Sequence, residues 1–497
     1  MRKLRNYDIQ TLAIAVGIAI CLGFAGYWLA TAIQWIPYAN QIDYGEGYNM
    51  YITKLWANGG WNWDISQEPY LTLMYGPIFF MIMKPLINTF GLSFEIGRAV
   101  MAIATVISCV FCGLIVYQIS KRKLLAAFAG LLPLVHPIVR DWGVQARVDP
   151  LAIMFSIIGI WWMIRFEKSR WFWATPLFLV ASFYTKVNIV GVIAAVIFLV
   201  LCGNWRRMLA FSSICAGLTF IPLIAFRPLF DHMFTYNNQP MWQNIIAMKL
   251  PDVLMFVVPI IGILLVATMY TRKRFKTLPC IWMITAIVTA NVLLLKHGSS
   301  TNYYIESIYT VSTCAVLSIP MLAEYAKKHL QWQSAAVWII AIMTIPTLSP
   351  SNLHIIPFPN TEYTRAVSEV QAIIADTKEP IPTENAGAVV MAGKDLLIEP
   401  LLFTRLANTG MWDESTYVDD VKNQRFDYLV LRSPLEDHVR NPGGHFSAAV
   451  SAAMVENYTL IYNDTNELAW WYIFNVYESN SKLANDERPI VNGVVNE

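Results

Sequence analysis

The chain has 497 residues, of which 56% are hydrophobic and only 14% charged, with a mean hydropathy of +0.45. Soluble domains carry roughly 25% charged residues, so this composition describes a polytopic membrane protein. The formal charge of +2 hides a division: residues 351–497 hold 10 of the 36 Lys and Arg but 21 of the 34 Asp and Glu. A basic membrane part therefore precedes an acidic part. Its basic residues stand in short loops between apolar runs, which makes nucleic acid a poor partner.

In chain order, the first apolar run, 10–35, follows MRKLRNYD and is too long for the core of a cleavable signal; it is expected to stay as an anchor. Runs approaching the length of about 20 residues needed to cross a bilayer follow at 96–119, 124–139, 148–165, 171–186, 187–203, 208–227, 252–271, 278–296, 303–323 and 333–350. That makes about eleven transmembrane helices. Lys and Arg collect in every second loop: Arg2, Lys3 and Arg5; Lys121, Arg122 and Lys123; Lys168 and Arg170; Arg206 and Arg207; Arg272, Lys273, Arg274 and Lys276; Lys327 and Lys328. Cytoplasmic loops accumulate such residues, which places the N-terminus inside. It also requires the segment 75–87 to lie in the interface or re-enter without crossing.

The fold class expected is a polytopic α-helical membrane protein with a C-terminal extracytoplasmic α/β domain. The membrane part covers 1–350, with a first outer loop at 36–95 that carries interfacial helices. A Pro-containing linker follows at 351–360, then the α/β domain at 361–478 and a loose tail at 479–497. Within that domain the patterns predict helices at 361–377, 415–424 and 445–458. Strands are predicted at 388–392, 426–432, 459–463 and 470–477. All seven cysteines lie in or beside apolar segments, so the C-terminal part has none to pair, and no His/Cys cluster has zinc spacing.

With this topology the unusual polar residues of the membrane part share the outer side: Asp43, Glu46, Glu68, Arg140, Asp141, Arg147, Asp149, Lys186, Asn188, Asp231, His232, Lys296, His297, Asn302 and Glu306. Charges near a bilayer need water, a partner or a substrate. Asp43 and Glu46 would share a face if 43–49 is helical, whereas Gly45 and Gly47 favour irregular backbone. Asp149, before Pro150, reads equally as a helix cap and as a site residue beside Arg147. Lys186 suits a lipid phosphate or snorkels to headgroups. Lys296 and His297 form a second cationic point, and Arg98 faces the phosphate or pairs with Glu95. Asn302 and Glu306 stand one turn apart, placed to hold a sugar hydroxyl. The aromatics of the first loop, Tyr44 and Tyr75 among them, suit sugar stacking as well as an interfacial belt.

Three chemistries need outer-face carboxylates: sugar transfer from a lipid-linked donor, ion-coupled transport or flipping of a lipid-linked glycan, and a scaffold whose charges are merely solvated. The chain has no inverted repeat and no carboxylate in the middle of a span, which favours surface chemistry over transport.

Five stretches carry a resemblance: DYGEGYN (43–49), YGPIFF (75–80) followed by GRAV (97–100), ARVDPLAI (146–153), FYTKVNIV (183–190) and GSSTNYYIES (298–307). In order and loop placement they resemble membrane glycosyltransferases of the GT-C fold, in the bacterial branch grouped with the family 39 and protein mannosyltransferase-like enzymes. The resemblance implies a polyprenyl-phosphate sugar donor, an envelope glycan, lipid or protein as acceptor, and a multi-pass place in the cell (inner) membrane. It also implies a catalytic acid in the first outer loop. Asp43 is then the expected base, with Glu46 as second candidate, in a single displacement that inverts the anomeric carbon. Lys186, Arg147, Lys296, His297 and Arg98 are expected at the donor phosphate, and Tyr44, Tyr75, Asp149, Asn302 and Glu306 at the substrate. No cofactor is required by the spacing, although Asp43 and Glu46 would suit a divalent metal. The chain departs from many such enzymes in MYGP, where they carry Tyr-Pro-Pro, and in TKVN, where they carry TKQ.

Overall fold

The computed structural model describes residues 2–238, 277–296, 299–329, 361–440, 444–464 and 474–485. The expected spans 252–271 and 333–350, the linker 351–360 and His297 lie outside them.

Helix α1 (Arg2–Trp35) leads into the first loop, where α2 (Tyr44–Asn58) and α3 (Ile78–Phe90) lie before α4 (Phe94–Ser120). Ser93 caps α4 by accepting from the Ile96 N–H. The stretches Ile14–Trp35 and Phe94–Ser120 and the later helix α10 (Trp205–Ala225) are each long and apolar enough to cross a membrane. At about 1.5 Å per residue they reach about 31–40 Å, against a hydrocarbon core of about 30 Å. On α10, Ile221 and Ile224 are 67% and 79% exposed, an apolar face that only lipid or a further helix would cover.

The predicted span 124–139 is broken into three pieces. Helix α5 (Lys123–Leu131) gives way to a tight turn at Leu132–Val135 and then to α6 (Pro137–Trp142). Pro133 and Pro137 are the cause, since each lacks an N–H and crowds the preceding turn. The His136 side chain caps α6 by accepting from the Ile138 N–H at 3.3 Å. Helices α7 (Asp149–Arg165), α8 (Thr175–Thr185) and α9 (Val190–Leu201) follow, and α7 packs on α4 and α8. Beyond the undescribed segment, α11 (Leu278–Leu293) packs on α9, and α12 (Ile305–His329) packs on α11 and α4.

The C-terminal region contains α13 (Thr361–Ile373), α14 (Ala386–Met391), α15 (Pro400–Asn408), α16 (Ser415–Lys422), β1 (Tyr428–Leu431), α17 (Leu435–Arg440), α18 (Ala448–Asn457), β2 (Tyr458–Asp464) and β3 (Phe474–Ser479). The three strands form an antiparallel sheet in the order β1-β3-β2, with Val430 opposite Val476 and Leu460 opposite Tyr477. Two expectations are corrected here. The predicted strand at 388–392 is part of helix α14 and the turn after it, with Ala388, Val389 and Val390 all buried; a short apolar run carries no period to tell the two apart. The tail predicted to be loose begins in order: β3 includes Ser479 and a helix continues over Asn480–Asn485.

This region shares its core with the first loop. Ile65 and Tyr70 pack among Phe403, Trp412, Tyr417 and Leu429. The Tyr70 N–H donates to Leu397 O at 2.7 Å, and the Glu399 N–H donates back to Tyr70 O at 3.1 Å. His232, in the membrane part, ties the same loop from another side, accepting from the Leu73 N–H at 2.9 Å through Nδ1 and reaching Trp63 O through Nε2.

At the root of the first loop, Arg98 of α4 and Glu46 of α2 form an ion pair at 2.7 Å in which both side chains are 0% exposed. Arg98 also donates to the carbonyls of Trp35, Tyr38 and Asn40, at the end of α1. Glu46 accepts in addition from the Ile42 and Ala146 N–H groups, both at 2.7 Å. Burial works against a charged Glu46, but Arg98 and the two N–H groups outweigh it and lower its pKa.

Removing one partner of such a pair costs about 3–5 kcal/mol. Glu46→Ala and Arg98→Ala are therefore each expected to lower the thermal unfolding midpoint of the solubilised protein by several degrees, and Glu46→Ala/Arg98→Ala by less than their sum. Additive shifts would show that the two charges do not act as a unit.

Candidate active site

The sequence DYGEG builds a helix start whose two carboxylates take different partners. Asp43 is the N-cap of α2, its Oδ1 accepting from the Gly45 N–H at 2.9 Å. The same oxygen accepts from Arg147 Nη1 at 2.6 Å, and Oδ2 takes no protein donor among the described residues. Asp43 stays 25% exposed, whereas Glu46, one turn on, is sealed against Arg98. Arg98 is likewise spent on protein groups, with its donors directed to Glu46 and three carbonyls.

The glycines expected to make irregular backbone lie instead inside regular helix, and each permits a close approach. A Cβ on Gly45 would fall 1.5 Å from Arg147 Nη1, and one on Gly47 would fall 2.4 Å from the Gly387 nitrogen of α14. Gly45 thus admits the guanidinium, and Gly47 admits the C-terminal region. Gln41 secures that contact by donating to Asn385 Oδ1 at 2.6 Å and accepting from the Gly387 N–H at 2.8 Å. Gly76 of the YGP turn plays the same part against α8, where a Cβ would meet the Tyr184 carbonyl oxygen at 1.9 Å.

Tyr75 is set by that turn, and its hydroxyl accepts from Arg147 Nη2 at 3.2 Å. Burial opposes the charge on Arg147, but Asp43, Tyr75 and Asp149 outweigh it and keep the guanidinium firmly protonated. Asp149, at the first turn of α7, is buried; its Oδ1 accepts from Lys186 Nζ and from Asn302 Nδ2, the latter at 2.9 Å. Lys186, just past α8, also lies over the Tyr303 ring, 4.3 Å from its centroid. Glu306 sits deeper, accepting from Ser156 Oγ at 2.6 Å, Trp282 Nε1 at 2.8 Å and Asn188 Nδ2 at 2.6 Å.

Asp149, Lys186, Asn302, Tyr303 and Glu306 line one cleft with about 490 Å³ of empty space, counted to its open mouth. Asp149, Lys186, Asn302 and Tyr303 form the polar part, and Ile153, Val187, Val190, Ala286, Ala290 and Leu293 the apolar walls. Two buried acceptors there, Asp149 Oδ2 and Asn302 Oδ1, have no donor within the described structure. Buried polar atoms are nearly always satisfied, so an atom without a donor in a cleft marks a place for a ligand hydroxyl or a water. Among the described residues no group of three or more His, Cys, Asp or Glu is gathered for a metal.

Tyr44 turns to the C-terminal region, donating to Glu399 Oε1 at 2.8 Å. Nearby, Glu384 contacts His445 at 2.5 Å and His438 at 3.4 Å. Burial works against its charge, but the two imidazoles hold its carboxyl below the usual carboxylate range. Lys296 donates to Asn237 O at 3.3 Å. The structure thus brings Asp43, Arg147 and Tyr75 into one group and Asp149, Lys186 and Asn302 into a second. It sets Glu46 and Arg98 apart as a sealed pair. Trp282, Tyr303, Glu399 and Arg405 join the neighbourhood without having been singled out. Of these, only Tyr303 stood in a quoted motif; the others lie in stretches with no pattern to mark them.

Residues 76–230 match the sequence profile of the family described as dolichyl-phosphate-mannose-protein mannosyltransferase. Comparison with curated proteins finds no match. Among solved structures, the chain is similar to ArnT from Cupriavidus metallidurans bound to undecaprenyl phosphate, at 14% identity and a TM-score of 0.57, covering 93% of this chain and 97% of that one. It is also similar to the archaeal oligosaccharyltransferase AglB from Archaeoglobus fulgidus in complex with an inhibitory peptide and a dolichol-phosphate. There the identity is 11% and the TM-score 0.52, covering 97% of this chain and 75% of that one. The chain is a membrane-embedded protein with the GT-C fold, as the motifs implied.

Gly45→Ala is expected to push Arg147 off Asp43 and raise hydrogen exchange in the 143–148 loop. Gly47→Ala is expected to raise it at 384–392 instead. Equal exchange in both variants and the wild type would contradict the close-approach reading.

Proposed function

We propose that this chain is a membrane glycosyltransferase that moves a sugar from a polyprenyl-phosphate donor to a hydroxyl of an acceptor on the outer face. The observation that carries the reading is the cleft itself. An ammonium and two buried acceptors without donors stand at the head of an apolar slot, and Arg147, which feels the charge of Asp149, is paired with Asp43, a carboxylate with one uncommitted oxygen. Ammonium and slot suit a phosphate and its hydrocarbon, and the acceptors suit sugar hydroxyls. Support also comes from the fold shared with ArnT and AglB, which were solved with undecaprenyl phosphate and dolichol-phosphate.

In the proposed reaction the acceptor oxygen attacks the anomeric carbon as its proton passes to Asp43 Oδ2. The bond from that carbon to the phosphate oxygen breaks, and configuration inverts. Lys186 offsets charge on the departing phosphate. Arg147 and Tyr75 hold the base in place, since Asp43 is fixed by its cap bond and its ion pair before substrate arrives. Glu46 and Arg98 act as support beneath it. This narrows the expected roles: Asp43 alone is the base, and Arg98 does not face the phosphate. Asp149 and Asn302 bind the sugar, while Glu306 anchors Asn188 and Trp282 in the cleft wall. The reading also carries the topology proposed from charge: N-terminus inside, several spans, and the C-terminal region on the outer side of the cell membrane, where the acceptor is a glycan, lipid or protein.

Positioned general bases contribute about 10²–10⁴-fold. In nanodiscs supplied with a panel of polyprenyl-phosphate sugars, Asp43→Asn is expected to lose at least about 100-fold in kcat while its melting point stays close to wild type. Wild-type turnover in Asp43→Asn would remove Asp43 from the chemistry. Gradient-driven uptake without transfer would replace the enzyme reading by a transporter.

A further inference from the structure

We propose that Arg405 of the C-terminal region and Lys296, just past α11, form a phosphate-binding subsite, so that the site is incomplete without the C-terminal region. Two consecutive backbone carbonyls bring the cations together: Arg405 donates through Nη2 to Tyr236 O, and Lys296 donates through Nζ to Asn237 O at 3.3 Å. The Asn237 side chain donates in turn to Met74 O at 2.9 Å. Met74 precedes Tyr75, which accepts from Arg147, the partner of Asp43. One short segment thus ties a cation of the membrane part and a cation of the C-terminal region to the loop that carries the proposed base.

The charge balance here differs from the rest of the site. Arg98 has Glu46, Arg147 has Asp43 and Lys186 has Asp149 as ion-pair partners. Arg405 and Lys296 have only carbonyls as hydrogen-bond partners in the described structure, and Arg405 Nη1 is buried with none. Glu399 is the nearest relief for Arg405, yet both its oxygens are engaged, one by the Tyr44 hydroxyl and one by the Leu402 N–H at 2.6 Å. Two cations held side by side repel, and the repulsion is felt more strongly where water is partly excluded. An oxyanion that bridges them turns that cost into binding. A guanidinium fork beside a compact ammonium matches a phosphate, with one group setting direction and the other adding charge.

The inference rests on the transferase reading for its ligand class, but it adds Arg405, on which that reading does not depend, as the partner of Lys296. The phosphate comes either from the lipid donor or from a phosphorylated acceptor or free phosphate, and two probes separate these sources. Binding of farnesyl phosphate, farnesol and inorganic phosphate to the full chain in nanodiscs is measured by calorimetry for wild type, Arg405→Gln, Lys296→Gln and Arg405→Lys. Melting curves confirm that each variant is folded.

Losing one hydrogen bond to a charged group weakens binding by about tenfold or more. The expected result is that loss for farnesyl phosphate in both Gln variants, a smaller loss in Arg405→Lys, and no change for farnesol. A parallel loss for inorganic phosphate supports a subsite open to any phosphate; a loss confined to farnesyl phosphate supports the lipid donor. Wild-type affinity for both phosphates in Arg405→Gln and Lys296→Gln overturns the proposal. If transfer nonetheless still depends on Asp43, the transferase reading survives that result. Absence of transfer with Arg405-dependent phosphate binding is the opposite case.

Discussion

The first loop and the helix ends around it are organised around the buried ion pair between Glu46 and Arg98. Two charges taken wholly out of water are expensive, and their attraction repays the cost only when every remaining donor and acceptor is satisfied. Here the condition is met by five further groups: Arg98 is surrounded by three carbonyls from 35–40, and Glu46 accepts from the N–H groups of residues 42 and 146. The pair therefore joins the end of α1, the start of α2, the start of α4 and the loop before α7. With those four pieces fixed, Asp43 has one place to go, the N-cap of α2, where Arg147 already reaches across Gly45.

The division of labour between the two carboxylates follows from that constraint. They are three residues apart and near the same helix end, yet one is saturated with donors and the other keeps an oxygen for chemistry. A carboxylate that holds structure is best buried and fully bonded, while one that exchanges a proton with substrate needs access and a free lone pair. The glycines between them are the sequence's record of this packing. Gly45 and Gly47 sit in regular helix, where glycine costs stability, because Arg147 approaches on one face and Gly387 on another.

Much of this was legible in the chain. The motifs at 146–153, 183–190 and 298–307 line one cleft, those at 43–49 and 75–80 join it through Arg147, and their order and loop placement resemble the GT-C fold. Other features were hidden for physical reasons. A carboxylate's partner is set by tertiary packing, so nothing in GRAV revealed that Arg98 would serve Glu46 across 52 residues. The α14 sequence reads as a strand because AVVMA is too short and too uniformly apolar to show a period. The span at 124–139 read as continuous because hydropathy does not register that Pro133 and Pro137 interrupt the backbone bonds. Arg405 and Lys296 come together through the carbonyls of 236–237, and a backbone contact leaves no side-chain signature to read.

The C-terminal region contributes more than cover. It shares a core with the first loop, seats α14 against α2 and presents Glu399 to Tyr44 next to the proposed base. The most direct test of the account is a structure of the protein with a polyprenyl phosphate bound. The hydrocarbon is expected between α9 and α11, the phosphate beside Lys186, and Asp43 facing the carbon that would carry the sugar. A lipid phosphate seated away from this cleft, or an Asp43 turned from it, would contradict the central claim.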